Sequence, residues 1–331
     1  MIRAYLYDAE GKDRELDLSS SPALPTLESH HLLWLDIFGR DREEVTRVAE
    51  LVGVDRRVLG EVASPTSSHS PADFDDHFRF AVVALGADAP KRSHDELKIP
   101  EKIRLDFVVG ENWLVTIAEQ ELAFLNDFRT QDRGETLIGA LSSAALAASL
   151  LDWHLTRYLE SFERLEAFVD ALDVRVLAGR SLDRSLLKRV VSGRRFVASL
   201  RRALAPQRSV FYGLSRPDFM LVAKANATVH FQLLQHRFER AIDALEHGRE
   251  LVQGSFDLYA TRVAENTNTL VRRITFASII LGAIGAVAGI FGMNFETPYT
   301  ASGTTGFWIV VGSLIAFAVG AAVISRLRNW I

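Results

Sequence analysis

Residues 268–296 read NTLVRRITFASIILGAIGAVAGIFGMNFE, and the architecture of the chain turns on them. From Ile274 to Phe291 there are 18 residues without a charge, and Gly306–Ser325 is a second uncharged run of 20. At the α-helical rise these cover about 27 and 30 Å, enough to cross the hydrocarbon core of a bilayer. Neither run is expected to be a signal peptide: both sit late in the chain, and MIRAYLYDAEGKDRE at its start has no apolar centre. Arg272 and Arg273 precede the first run, Arg326 and Arg328 follow the second, and the link Gly292–Thr305 holds no Lys or Arg and one acid, Glu296. The positive-inside rule then places both termini in the cytoplasm and the link outside.

Upstream, residues 1–120 read as a cytoplasmic α/β domain. Apolar, β-rich runs at Arg3–Tyr7, Leu32–Phe38, Phe78–Leu85, Ile103–Val109 and Trp113–Ile117 predict strands, the last two joined by the short connection Gly110-Glu111-Asn112. Asp41–Val54 and Asp55–Val62 predict helices opened by Asp caps, and Ala63–Asp73 a polar loop. Residues 121–216 read as a cytoplasmic helical region. There, Glu160, Glu163, Glu166, Asp170 and Asp173 fall on one helical face, and Arg184–Arg208 carries eight positive charges in 25 residues. One reading pairs these two faces across antiparallel helices separated near Ala178-Gly179. Another makes the acids an antenna that concentrates cations. Sparse aromatic interleaving and a net charge of −4 argue against nucleic acid as a partner.

Pro217 opens the longest element, since no proline follows until after Phe291. Residues 217–273 are expected to form a stalk helix that runs unbroken into a first transmembrane helix at 274–292. An external loop (293–305), a second transmembrane helix (306–325) and a basic tail (326–331) complete the chain. In the stalk, Phe238, Leu245, Val252 and Tyr259 recur at seven residues, and Ile242, Phe256, Val263 and Leu270 keep the same period. Such a seam implies helices packed in register, with Gly248 and Gly254 as local weak points. One pair of membrane helices encloses no lumen, so conduction would require several copies.

With 331 residues, 48% of them hydrophobic, the chain is too apolar for disorder. The lack of cysteine excludes disulfide scaffolds, thiolate zinc sites, iron–sulfur clusters and cysteine nucleophiles. Phosphate-binding glycine loops and the hydrolase and metalloprotease motifs are missing as well, so the chain does not read as an enzyme and no cofactor is expected.

Gly292-Met293-Asn294 closes the first apolar run. In this tripeptide, its placement, the C-terminal hairpin, the long preceding helix and the RLRNWI tail, the chain resembles the CorA family of divalent-cation transporters. The resemblance implies a funnel-shaped homopentamer in the inner membrane, with membrane lipid around it. Its fold would be an α/β N-terminal domain followed by a helical stalk and two C-terminal transmembrane helices, the first lining a pore. Divalent cations (Mg²⁺, Co²⁺ or Zn²⁺) would be both substrate and regulator. Gly292, Met293 and Asn294, with Glu296 nearby, would form the outer mouth, where carboxamide and carbonyl oxygens accept the water protons of a hydrated ion. Gly292 would permit a tight turn there. Asn268, Val271, Ile274, Ser278, Gly282, Gly285 and Gly289 would line the pore, with Val271 and Ile274 as a hydrophobic gate. Their steps of three and four put them on one helical face; the glycines equally fit close helix packing. Asp257 matches a regulatory stalk acid of the family, and Asp88 or Asp95 would partner it.

The sequence also departs from the family. Gly282-Ala283 stands where magnesium-type members carry bulky residues and a proline, and Glu296-Thr297-Pro298-Tyr299 replaces a Met-Pro-Glu-Leu loop. The zinc-transporting ZntB branch also lacks that loop, and Ala205-Pro206-Gln207-Arg208 looks like a ZntB stretch, although ZntB proteins commonly vary the position of Met293. No His, Asp, Lys or Cys lies in either apolar run, so a dehydrated Zn²⁺ would find no preferred ligand there. Asp73-Phe74-Asp75-Asp76-His77 with His69 is a candidate for a soft-metal site, against the alternative of a solvated turn, and His30-His31 is another.

Overall fold

The computed structural model describes residues 1–18, 26–54, 69–86, 97–131, 137–178, 184–293 and 303–327. They form two compact units, one of Met1–Arg175 with Asp183–Ser255 and one of Val176–Leu182 with Phe256–Ile331.

The first unit is built on a seven-stranded sheet: β1 (Ile2–Asp8), β2 (Arg14–Leu16), β3 (His31–Phe38), β4 (Ala72–Asp73), β5 (Phe78–Leu85), β6 (Lys102–Val109) and β7 (Trp113–Ala118). Their order is β2-β1-β3-β7-β6-β5-β4, antiparallel except for the parallel pair β3–β7. All five expected strands are present within a residue or so of their ends. β4 corrects the reading of Ala63–Asp73 as loop throughout: Ala72 and Asp73 pair with Arg79 and Phe78. The expected helix Asp55–Val62 lies outside the described residues.

Period-two alternation on β3 decides what the sheet holds on each face. Leu33, Leu35 and Ile37 pack with Val45, Val48 and Ala49 of α1 (Arg42–Val52). Asp41 caps that helix by accepting the Glu43 N–H, and Gly53, at φ 74°, ends it in the left-handed conformation that glycine adopts without strain. Trp34 and Asp36 point the other way, toward α2 (Ala123–Gln131): the Trp34 and Phe128 rings meet edge-on at 6.0 Å, and Arg129 Nη1 donates to Asp36 Oδ2 at 2.9 Å. Thr116 Oγ1 donates to Asp36 Oδ1 at 2.6 Å and accepts from Trp34 Nε1 at 3.0 Å.

Helices α3 (Ser143–Ala178), α4 (Arg184–Leu204), α5 (Arg208–Leu214), α6 (Met220–Lys224) and α7 (Thr228–Phe291) follow. A second buried network fastens this layer to the sheet. Tyr158 Oη and Gln207 Nε2 both donate to the Val83 carbonyl, at 2.7 and 3.1 Å, and Gln207 Oε1 faces His154 Nε2 at 3.0 Å. Gln207, part of the stretch that looks like ZntB, is therefore a buried anchor of the fold.

Two expectations about the helices are corrected. The long helix does not begin beside Pro217: α6 comes first, Asn226 takes the left-handed region at φ 53°, and α7 starts at Thr228. An asparagine tolerates that conformation better than most residues. The heptad seam holds for Phe238, Leu245 and Val252, which are buried, but its second row is Leu234, Ala241, Gly248 and Ser255. Phe256, Val263 and Leu270 stay exposed. Small residues are selected because α3 runs close by: a Cβ on Gly248 would sit 2.7 Å from Leu165 Cδ2. The glycine thus permits contact at the point where sequence reading expects only weakness. On the basic segment, Arg201 and Arg208 pair with Glu246 and Glu239 of α7 rather than with the acidic face of α3, at 2.8 and 3.5 Å, while Arg189 lies over the Phe168 ring.

The buried groups give opposed pH dependences. Burial pushes Asp36 up to about 6, outweighing the help of Thr116 and Arg129, and burial lowers His154 to about 4. Asp36 therefore takes up a proton on folding between its ordinary pKa and about 6, so its contribution to stability falls as pH rises through that window. His154 stays neutral where the unfolded chain is protonated, so its contribution rises with pH over nearly the same window. The two slopes offset each other. Asp36→Asn is expected to remove one of them: between pH 6.5 and pH 4 the variant should lose about 2 kcal/mol more than wild type. Thermal unfolding of the detergent-purified protein at both pH values measures this, and parallel wild-type and variant curves would refute it.

Candidate ion path

In the second unit α7 continues from Phe256 through Phe291, without a break at the expected boundary between stalk and membrane segment. α8 (Gly303–Leu327) follows. Both are long and apolar enough to cross a membrane. Arg272 and Arg273, exposed, stand where the apolar part of α7 begins, and Arg326 lies in the last turn of α8.

Asn268, Val271, Ile274, Ser278, Gly282, Gly285 and Gly289 lie on α7 within an arc of about 120° at 3.6 residues per turn, and every one is exposed. Val271 and Ile274 keep 56% and 66% of their surface open, a heavy apolar exposure for any segment in water. No atom beyond the helix lies within 4 Å of a Cβ built on Gly282, Gly285 or Gly289. Among the described residues, then, this stripe does not pack α7 against its own chain. The partly covered residues Phe276, Ile280, Ala283, Ile284 and Val287 lie on the opposite face. α8 has a corresponding part-covered row at Gly306, Val310, Leu314, Ala318 and Ala321, ending on buried Ser325.

At the end of α7 the backbone departs from expectation. The Gly292 N–H still reaches the Ala288 carbonyl at 2.9 Å, as in a continuing helix, and Gly292 is not in the left-handed region. The chain turns at Met293 instead, whose N–H reaches only the Ile290 carbonyl and whose side chain is 54% exposed. Asn294 and Glu296 lie outside the described residues. So do Asp88 and Asp95, the expected partners of Asp257, which is itself exposed on α7.

One contact was not legible in the sequence. Arg262 Nη2 donates to the Leu177 carbonyl at 2.7 Å and Nη1 to Glu265 at 2.9 Å, so a side chain of α7 caps the end of α3. A cation at a helix C-terminus satisfies a free carbonyl and the dipole together. The soft-metal candidate of residues 69–77 does not gather its donors among the described residues: His77 stacks on Phe74 at 4.7 Å and pairs with Asp76. Asp8, His30 and His31 do converge.

A family model described as CorA-like Mg²⁺ transporter protein matches residues 29–326. The cobalt/magnesium transport protein CorA of Thermotoga maritima is 24% identical over 310 residues, covering 93% of this chain and 86% of that one. The complete structure of the CorA magnesium transporter from Methanocaldococcus jannaschii superposes with a TM-score of 0.75 at 20% identity, over 99% of this chain and 98% of that one. The ZntB cytoplasmic domain from Vibrio parahaemolyticus is similar at a TM-score of 0.58 and 14% identity, over 80% of this chain and 99% of its own.

Proposed function

The chain belongs to the CorA family, and on that premise we propose that it assembles as a pentamer in the inner membrane, both termini cytoplasmic, and conducts hydrated Mg²⁺ or Co²⁺. One observation carries the reading: an uninterrupted helix presents an exposed, uncharged face from Asn268 to Gly289 and ends on Gly292-Met293. Copies brought together through that face would surround a path lined by small and apolar groups. Such a wall offers no strong ligand, so an ion that surrenders water reluctantly keeps its shell. The ring at Val271 and Ile274 would shut by dewetting. The membrane potential supplies about 2.3 kcal/mol per elementary charge at 100 mV, twice that for a divalent ion.

A ZntB-like Zn²⁺ transporter, with or without proton coupling, is the second reading. The replacement of the Met-Pro-Glu-Leu loop by Glu296-Thr297-Pro298-Tyr299 supports it, since the ZntB branch also lacks that loop. Proteoliposomes loaded with Mg²⁺- and Zn²⁺-sensitive dyes decide between the two. Mg²⁺ flux driven by potential is expected. Flux of Zn²⁺ alone would replace the first reading with the second, and flux of neither ion would make the protein a membrane-tethered cation sensor.

Regulation would act at Asp257. Cytoplasmic Mg²⁺ bridging its carboxylate to an acid of the neighbouring subunit, Asp88 or Asp95, would hold the ring shut, and loss of the ion would leave like charges that repel. Asp257→Ala is expected to keep currents open at internal Mg²⁺ concentrations that close the wild type. Equal closure of both in patch recordings would refute this role.

A further inference from the structure

Asp8 ends β1 and His31 opens β3, and the antiparallel register sets them directly opposite each other. A turn closed by the His31 N–H on the Glu28 carbonyl (3.0 Å), with the Ala9 N–H on the His30 carbonyl (3.1 Å), holds His30 beside His31. The two imidazole rings lie 4.2 Å apart. His30 Nε2 is 3.8 Å from Asp8 Oδ1, and His31 Nε2 is 3.5 Å from Asp8 Oδ2. One ligand atom from each residue lies within 4.8 Å of the other two, and all three residues are half-buried.

We propose that Asp8, His30 and His31 form a binding site for a transition-metal cation of the Zn²⁺ or Co²⁺ class on the N-terminal domain, apart from the ion path. Bonds of about 2.0–2.1 Å at tetrahedral angles separate ligand atoms by roughly 3.3–3.4 Å, so a donor set that lies within 4.8 Å must draw together on binding, through rotation of half-buried side chains. Two imidazoles and one carboxylate suit such an ion and fit Mg²⁺ poorly, because Mg²⁺ prefers oxygen donors and keeps its water. The surroundings also fit. Glu28 Oε2 stands 3.8 Å from His30 Nδ1, close enough to orient the ring as an outer carboxylate once Nε2 binds a metal. The Glu10 N–H holds Asp8 Oδ1 at 3.0 Å.

His31 must adjust. Its Nδ1 accepts the Glu28 N–H at 3.2 Å, so in the metal-free protein Nε2 carries the proton. Metal binding moves that proton to Nδ1 and turns the N–H of exposed Glu28 to solvent, at a cost of about 1 kcal/mol. Three protein ligands leave a fourth position for water, the arrangement of an exchangeable site rather than a closed structural one.

Full-length protein in detergent, titrated with Co²⁺ in excess Mg²⁺ and then with Zn²⁺, tests this. The wild type should give the visible absorption of four-coordinate Co²⁺, saturating at one ion per chain and bleached by Zn²⁺. The band should vanish in His30→Gln/His31→Gln, and Asp8→Asn should weaken binding by about 100-fold. His247→Gln, on the stalk, should match wild type. Circular dichroism and elution volume confirm folding. Should the double variant misfold, Asp8→Asn and His30→Gln alone decide. No band in the wild type, or an unchanged band in the folded variants, would overturn the site. Transport in vesicles is not read, so this outcome is independent of the conduction proposal.

Discussion

Replacing Asn294 by alanine is expected to abolish cation uptake while leaving the purified oligomer at its wild-type size. The first membrane helix ends at Phe291, the Gly292 N–H still bonds to Ala288, and Met293 begins the turn; Asn294 is the next residue in sequence, and the proposed function assigns it to the outer mouth. A carboxamide oxygen in that role would accept a proton from water bound to the ion. Each such contact is worth about 1 kcal/mol, and in the proposed pentamer the loss would be repeated in every subunit. Five together make about 5 kcal/mol, a factor of several thousand in occupancy of the mouth. Dye-monitored flux in proteoliposomes measures it, with size-exclusion as the control. Unchanged uptake by an intact oligomer would reject the assignment of the mouth.

Arg129→Met is expected to destabilise the N-terminal unit by about 3–5 kcal/mol, because it leaves a buried carboxylate without its cation. The Asp36 side chain has no exposure and that of Arg129 has 7%, and the guanidinium lies 5.2 and 5.5 Å over the rings of Tyr5 and Trp34. Methionine retains most of the packing volume but neither the charge nor the hydrogen bond. The double variant Asp36→Asn/Arg129→Met should recover much of the loss, since a neutral pair in the same space no longer carries an uncompensated ion. Acidification should also rescue the single variant, because Asp36 already titrates near 6 and protonates further once its partner is gone. Melting curves of the three proteins test the point. A single variant as stable as wild type would show that Arg129 contributes only cover.

Much of this fold was legible because the signals were local. Apolar, β-rich runs over β3, β5, β6 and β7 mark the strands almost to their ends, and Asp41 and Gly53 delimit α1 as caps do. The apolar runs and Gly292-Met293-Asn294 are equally local. What failed depended on neighbours. The stalk's second row was sought among large apolar residues, whereas the approach of α3 selects Ala241, Gly248 and Ser255. The partners of Arg201 and Arg208 were sought on the nearest acidic helix, yet they lie on α7. His30-His31 carried little weight because its carboxylate partner, Asp8, is brought opposite only by strand register. The glycine stripe shows the same dependence: helical spacing defines its face, and what that face meets is not written in the spacing.

The proline-free continuity of the 64-residue helix has a mechanical consequence. At 1.5 Å per residue it is about 95 Å long, so a tilt of about 1° at one end sweeps the other through roughly 1.7 Å. With no proline inside the helix to absorb it, a small tilt becomes a displacement that grows with distance along the axis.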